Sequence, residues 1–94
     1  MLIQITTDEK LRKLLRETGF LLNVDYPTRD VKVHRTSCSY ADPDNPVGVK
    51  PSSKTLNKTG EFWYSENRKE ILQKAEELAN IRKFNMTFCA ICNP

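Results

Sequence analysis

Four side chains of the types that commonly bind metal ions fall into two closely spaced pairs. His34 and Cys38 form a His-x3-Cys pair in "HRTSC", and Cys89 and Cys92 form a Cys-x2-Cys pair in "FCAICNP". These are the single histidine and all three cysteines of the chain. Two such pairs suit tetrahedral zinc, because each pair binds from a tight turn and the two pairs together complete the ligand set. We therefore predict a zinc site with His34, Cys38, Cys89 and Cys92 as ligands.

Other chemistry is open to the same residues. Cys89 and Cys92 alone would permit thiol–disulfide exchange, but redox motifs of this spacing start a helix after a strand, whereas this pair follows a predicted helix. Cys38 and His34 could also act as a nucleophile and its base, although one zinc ion would use both groups. Four good ligands leave no open position for a catalytic water. We therefore predict a closed site and no enzymatic activity.

Two acidic residues near the first pair are competing candidates for the ligand set. Asp42 and Asp44 follow Cys38 closely. Acidic residues beside proline and asparagine are more often turn formers than ligands. We therefore leave both out of the predicted site.

The composition indicates a small globular protein with a mild basic excess. The chain has 94 residues, 29% of them charged and 38% hydrophobic, with a net charge of +3. A core of this size is marginal and gains from a bound metal. No apolar run approaches the roughly 20 residues that span a bilayer, so we expect no membrane partner. The opening "MLIQITTDEK" does not resemble a signal peptide, so we expect a cytoplasmic location, where thiols favour metals over disulfides.

The elements that must position the four ligands follow from periodicity and turn residues. Before the first pair, we predict a strand over 2–5, a helix over 7–18 capped by Thr6, and strands over 20–26 and 31–34 joined by the turn "PTRD". The last of these strands carries His34 to its position.

Between the pairs, residues 41–60 are rich in proline, serine, asparagine, aspartate and glycine, which predicts a long surface loop. A strand over 61–64 and a helix over 66–80, capped by Ser65, follow. The predicted fold is one α+β domain, zinc-stabilised, with short strands, two helices and a long central loop.

The order of these elements resembles the metal-binding domain of the Ada DNA-repair proteins. That family has a Cys-Arg-Pro-Ser-Cys turn, an aromatic strand, an alanine-rich helix and a Cys-x2-Cys-x-Pro ending. The corresponding stretches here are His34–Cys38, Glu61–Ala79 and Cys89–Pro94. The resemblance covers residues 32–94 and leaves 1–31 as a strand–helix–hairpin part of the same domain. It implies a zinc module that contacts nucleic acid.

Departures from the family pattern change the expected function. His34 stands where the family has the cysteine that accepts a methyl group from a DNA phosphotriester, and a zinc-bound imidazole offers no comparable nucleophile. We therefore do not expect methyl transfer. Ala90 and Ile91 stand where the family has basic residues, so this apolar turn could face a protein instead. The loop at 41–60 is also longer than the family pattern needs.

Basic residues after the first pair supply the remaining functional candidates. The first 30 residues carry equal numbers of basic and acidic side chains, so residues 31–94 hold the whole excess. We predict phosphate contacts to nucleic acid, with a protein-interaction adaptor as the alternative. Trp63 could stack on bases, but we expect it to pack in the core against Ile71 and Leu72. The predicted nucleic-acid-binding residues are Arg35, Lys50, Lys54, Lys58, Arg82 and Lys83.

Overall fold

A five-stranded mixed sheet with helices on both faces makes up the part of the chain that the computed structural model describes, which is residues 1–38, 41, 43–44, 50–92 and 94. The prediction of an α+β domain is confirmed. Every helix in these ranges is too short or too polar to cross a membrane. The strands are β1 (Ile3–Ile5), β2 (Phe20–Asp25), β3 (Asp30–Arg35), β4 (Gly60–Ser65) and β5 (Asn85–Phe88), and the helices are α1 (Asp8–Leu14), α2 (Pro51–Asn57) and α3 (Arg68–Arg82).

The strand order is β1-β4-β2-β3-β5. All neighbours are antiparallel except β3 and β5, which are parallel. The carboxyl ends of β3 and β5 therefore lie at the same edge of the sheet, which we call the metal end. The opposite edge, called the hairpin end, holds the β2–β3 turn and the starts of β4 and β5. Because β1 pairs with β4, residues 1–31 and 32–94 share this sheet.

Alternation along the strands produces an apolar layer on each face of the sheet. Helix α1 covers one face, where the buried residues include Leu21, Phe62 and Tyr64. Helix α3 covers the other through Ile71, Ala75 and Leu78. Trp63 packs in this second layer, as expected, and the Lys74 ammonium lies 4.4 Å from the centre of its ring.

The helices on the two faces are confirmed, but their bounds differ from the predicted 7–18 and 66–80. Helix α1 is capped by Thr7 rather than Thr6, since the Thr7 hydroxyl accepts the Lys10 N–H at 3.2 Å, and it ends at Leu14 instead of residue 18. Helix α3 is capped by Asn67, whose side chain accepts the Glu70 N–H at 3.3 Å. Both caps satisfy an N–H group that has no partner within its own helix.

The second half of the predicted loop at 41–60 is instead a third helix, α2. Pro51 is its first residue, where a missing N–H costs nothing. Ser52 and Asp8 then bond reciprocally, each backbone N–H donating to the other side chain at 2.9 and 2.8 Å. The Lys54 ammonium also lies 2.9 Å from the Asp25 carboxylate. These contacts hold α2 on the α1 face of the sheet. Residues 42 and 45–49 of that prediction lie outside the described ranges.

Candidate metal centre

The first ligand pair lies in a turn that follows β3. His34 is the next-to-last residue of that strand and lies opposite Leu21, so its side chain is on the α1 face. The chain then turns, and the Cys38 N–H donates to the Arg35 carbonyl at 3.0 Å. We call residues His34–Cys38 the first knuckle.

Two hydrogen bonds join the first knuckle to the connection between α1 and β2. The Thr36 N–H donates to the Gly19 carbonyl at 3.1 Å, and the Thr36 hydroxyl donates to the Glu17 carbonyl at 2.8 Å. Packing against β4 requires glycine at position 19, because a Cβ there would lie 2.7 Å from Cε2 of Tyr64 and 2.9 Å from the Ser65 carbonyl oxygen. The knuckle is therefore fixed by contacts that do not involve a metal.

The second ligand pair follows β5 at the same edge of the sheet. The Cys89 N–H donates to the Val33 carbonyl at 2.9 Å, which extends the parallel ladder one residue beyond β5. The Arg35 N–H donates to the Cys92 sulfur at 3.3 Å. Residues Cys89–Cys92, the second knuckle, therefore lie directly beside the first.

The four candidate ligands converge. Their ligand atoms all lie within 4.8 Å of one another, and the sulfurs of Cys38 and Cys89 are 3.8 Å apart. Zinc–sulfur bonds of about 2.3 Å in a tetrahedron place two sulfurs about 3.8 Å apart. The same spacing is far longer than the roughly 2.0 Å of a disulfide, and the described structure has no disulfide among the three cysteines. The spacing therefore fits two thiolates on one ion.

The protonation state of His34 suits a metal ligand. The residue is 5% exposed. Burial, assisted by the charge of Lys32 and opposed by that of Asp30, lowers its pKa from 6.5 to about 4. The imidazole is therefore neutral near pH 7, the form that donates a lone pair to a metal. Its Nδ1 atom is buried without a hydrogen-bond partner in the described structure, and a bound metal would supply that partner.

The environment of Cys89 favours the thiolate. Burial alone would raise the pKa of this thiol, but the backbone N–H groups of Cys92 and Ile91 donate to its sulfur. These bonds, together with the neighbouring thiols of Cys92 and Cys38, bring the pKa of Cys89 below its ordinary value of 9.0. Since thiolate is the metal-binding form, the donor set of one neutral imidazole and three thiols fits a metal ion.

Asp44, one of the two competing acidic residues, is not part of this cluster. The Arg12 guanidinium holds Asp44 in a two-pronged ion pair, with Nη2 and Oδ1 2.9 Å apart, and lowers the pKa of that carboxyl. Asp42 lies outside the described residues. The residues of the second knuckle follow β5 and form a turn, whereas redox motifs of the same spacing begin a helix.

The predicted phosphate-binding residues are spread over the molecule rather than grouped at the metal end. Arg35 is exposed at the metal end. Lys50 precedes α2 and donates to the Pro43 carbonyl. Lys54 is 17% exposed and holds Asp25, so its charge is already partnered inside the fold.

The other predicted basic residues lie at the hairpin end. Lys58 and Lys83 cap the carboxyl ends of α2 and α3. Arg82 lies over the Tyr26 ring at 4.3 Å and pairs with Glu61 at 3.4 Å. The six candidates therefore do not form one surface around the metal centre.

One exposed basic residue at the hairpin end, Arg29, was not among the candidates. It lies in the predicted turn between β2 and β3, with a φ of 53°. The sequence signal was a basic side chain within "PTRD", which the prediction used only as a turn.

No protein family, curated protein or solved structure gives a significant match to this chain. The resemblance to the Ada metal-binding domain therefore depends on the two knuckles and the elements between them. It stays a prediction.

Proposed function

We propose that this protein is a zinc-binding module whose ion joins the carboxyl ends of β3 and β5. One observation carries the proposal: a buried histidine nitrogen without a partner belongs to a cluster with three thiols, all ligand atoms lying within 4.8 Å. Three sulfurs and one imidazole within 4.8 Å of one another suit zinc better than the hard, oxygen-binding cations. When bound, the ion supplies structural cohesion between the two knuckles.

We further propose that the module has no catalytic activity. The four side chains would fill a tetrahedral site, which leaves no position for an activated water. The place of the methyl-accepting cysteine in the Ada family is held by His34, which supports a structural role. Asp44, the nearby described acid, is engaged by Arg12 rather than directed at the site.

The zinc proposal is tested by metal analysis and native mass spectrometry of the reduced protein, before and after chelation. We expect one zinc per chain, and a cobalt-substituted form with the absorption of a tetrahedral thiolate site. His34→Ala should bind metal more weakly, whereas Asp44→Asn should bind like the wild type. Full metal affinity in His34→Ala, or rapid alkylation of a thiol in the zinc-loaded protein, would contradict the ligand set.

The partner we propose is nucleic acid, bound through its phosphates. The net charge of +3, all of it contributed by residues 31–94, supports this choice. Fluorescence anisotropy with single-stranded DNA, duplex DNA and RNA at several salt concentrations tests it. Affinity should fall steeply as salt rises, because phosphate contacts release counterions. Salt-insensitive binding, or no binding to any of the three, would remove this partner.

A protein-interaction adaptor is the second candidate, because the second knuckle is apolar and exposed. Phe88 and Ile91, on either side of Cys89, are 47% and 65% exposed, and Ala90 between them is also exposed. Single exposed apolar residues are common, but neighbouring ones often mark a contact surface. A stoichiometric protein partner that Ile91→Asp abolishes, together with no nucleic-acid binding, would favour this candidate.

A further inference from the structure

Three basic residues adopt the left-handed backbone conformation that favours glycine. Arg29, Lys58 and Lys83 have φ values of 53°, 55° and 57°. In the described ranges they are the only residues other than glycine with a positive φ. Any side chain is less stable than glycine in this conformation, and asparagine is the usual substitute. The chain instead places a long cationic side chain at all three positions.

Backbone hydrogen bonds join two of these turns at the hairpin end. Lys58 is followed by Thr59, whose carbonyl accepts the Tyr26 N–H at 2.9 Å. The Tyr26 carbonyl in turn accepts the Arg29 N–H at 3.2 Å. The residue that caps α2 is therefore adjacent to the β2–β3 turn.

The third turn joins the same row from the other side. The Arg29 carbonyl accepts the Asn85 N–H at 3.0 Å, and Asn85 lies two residues after Lys83. Lys58 thus precedes β4, Arg29 lies in the turn between β2 and β3, and Lys83 precedes β5. The three cations therefore follow the hairpin end across these four strands. Strands lie about 4.8 Å apart, so the row is roughly 14 Å long. We call these three residues the basic rim.

The acidic residues near the basic rim do not neutralise it. Asp25 is paired with Lys54 at 2.9 Å, and Glu61 with Arg82 at 3.4 Å. Asp30 accepts a threonine hydroxyl of β5 and has no ion pair with any described residue.

The cations of the rim are themselves exposed. None of the three forms an ion pair within the part of the chain that the structure describes. The three rim cations and the Asp30 carboxylate, which has no ion pair among the described residues, together leave an excess of two positive charges at the hairpin end.

We infer that the basic rim is the surface that binds the nucleic-acid backbone, at the opposite end of the sheet from the metal centre. This inference rests on the proposed nucleic-acid binding and names the residues that perform it. Glycine would make the folded protein more stable at these three positions. The presence of cations there instead indicates that their charge has a function. Thr59 and Asn85, next to or two residues after a rim cation in the sequence, carry polar side chains that can also donate to phosphate oxygens.

An anionic membrane is a less suitable partner for this end of the molecule. Membrane-surface binding combines basic residues with a continuous apolar face. The exposed apolar residues nearest the rim in sequence are Leu56 and Ile81, which belong to α2 and α3. Those helices lie on opposite faces of the sheet, so the two apolar side chains are separated, whereas backbone hydrogen bonds join the turns that carry the three cations.

The test replaces all three residues of the rim with glycine, as Arg29→Gly, Lys58→Gly and Lys83→Gly in one zinc-loaded chain. Glycine relieves the left-handed backbone, so the melting temperature should rise. Affinity for single-stranded DNA at 0.1 M salt should fall about tenfold or more, because three phosphate contacts are lost. The slope of log affinity against log salt should decrease by about 2, from about 0.7 for each contact. A purely structural role would move stability and affinity in the same direction.

Two matched controls separate position from total charge. Replacing Lys10, Lys13 and Lys69 with glutamine removes the same charge from exposed helical sites away from the rim, and should leave the salt slope nearly unchanged. Exchanging lysine and arginine within the rim keeps the charge, and should keep both the affinity and the slope.

Each contrary result has a distinct meaning. If the wild type binds nucleic acid, the glycine variant binds equally well and Arg35→Gln does not, the inference fails and the proposed function stands. A fall in both melting temperature and affinity would assign the rim a structural role and overturn the inference. If the wild type binds no nucleic acid, both fail together. Binding to vesicles containing phosphatidylserine, lost in the glycine variant, would then identify the surface as a membrane site.

Discussion

Replacing His34 with leucine should change stability in opposite directions with and without zinc. The imidazole is buried, neutral near pH 7 and lacks a partner for Nδ1 among the described residues. Leucine is of similar size and would meet Leu21 on the same face of the sheet. In metal-free protein the substitution therefore removes an unsatisfied polar atom, whereas in zinc-loaded protein it removes a ligand.

The two effects differ enough to be measured. An unsatisfied buried polar group costs about 1–3 kcal/mol, so His34→Leu should raise the free energy of unfolding of the metal-free protein by up to about that amount. Zinc at about 1,000 times its dissociation constant adds about 4 kcal/mol to the wild type. Most of this is lost without the imidazole. The variant should therefore be the less stable protein once zinc is present.

Urea unfolding at pH 7.5 under reducing conditions, followed by far-UV circular dichroism, measures both states. One series contains a chelator and the other excess zinc. Thr36→Val is the matched control, because its buried hydroxyl already has a partner in the Glu17 carbonyl, and it should destabilise both states alike. The reasoning is refuted if His34→Leu lowers the free energy of unfolding equally in the two series.

Three further predictions test separate features of the fold. In metal-free protein the pKa of His34 is about 4 against an ordinary 6.5, so the unfolded chain binds the proton first as pH falls. Between pH 6.5 and 4 the wild type should therefore lose roughly 3 kcal/mol more than His34→Leu in urea unfolding. Gly60→Ala places a Cβ 2.1 Å from the Val24 carbonyl oxygen; it should cost about 1–3 kcal/mol or more, seen as a lower melting temperature. Asn67→Ala removes the α3 cap and should cost about 1 kcal/mol in thermal unfolding, whereas Asn67→Asp should not.

The amphipathic elements could be predicted from the sequence, and α2 could not. Helix α3 and the hairpin of β2 and β3 show clear apolar periodicity, which reflects burial on one face or both. Helix α2 has one large apolar residue, Leu56, and that side chain is 82% exposed. Its stability comes from Asp8 and Asp25, which are distant in the sequence. No local pattern reports such contacts.

The candidate ligands could be predicted from their types and spacing, but their meeting point could not. Short-spaced pairs are visible in one sequence because each knuckle is local. The parallel pairing of β3 with β5 is what brings His34 and Cys89 to one edge. That pairing depends on sheet order, which four residues as short as "NMTF" do not specify.

Charge was the hardest property to assign from sequence. Lys54 and Arg82 look like free cations in the sequence, yet each is held by an acidic residue in the fold. Arg29 looks like part of a turn, yet it extends a row of cations. Ion pairing and turn geometry are three-dimensional properties, so composition gives the total charge without its location.

If the site holds the proposed zinc ion, the parallel attachment of β5 determines what loss of that ion would do. Within the described structure this strand has a single neighbour, β3, and the knuckles secure its far end. Without the ion, β5 would separate from β3 more readily and expose the edge of that strand. The hydrogen-bonding groups of β3 would then be available to any other extended chain. Loss of the metal would thus cause aggregation before the rest of the molecule unfolds.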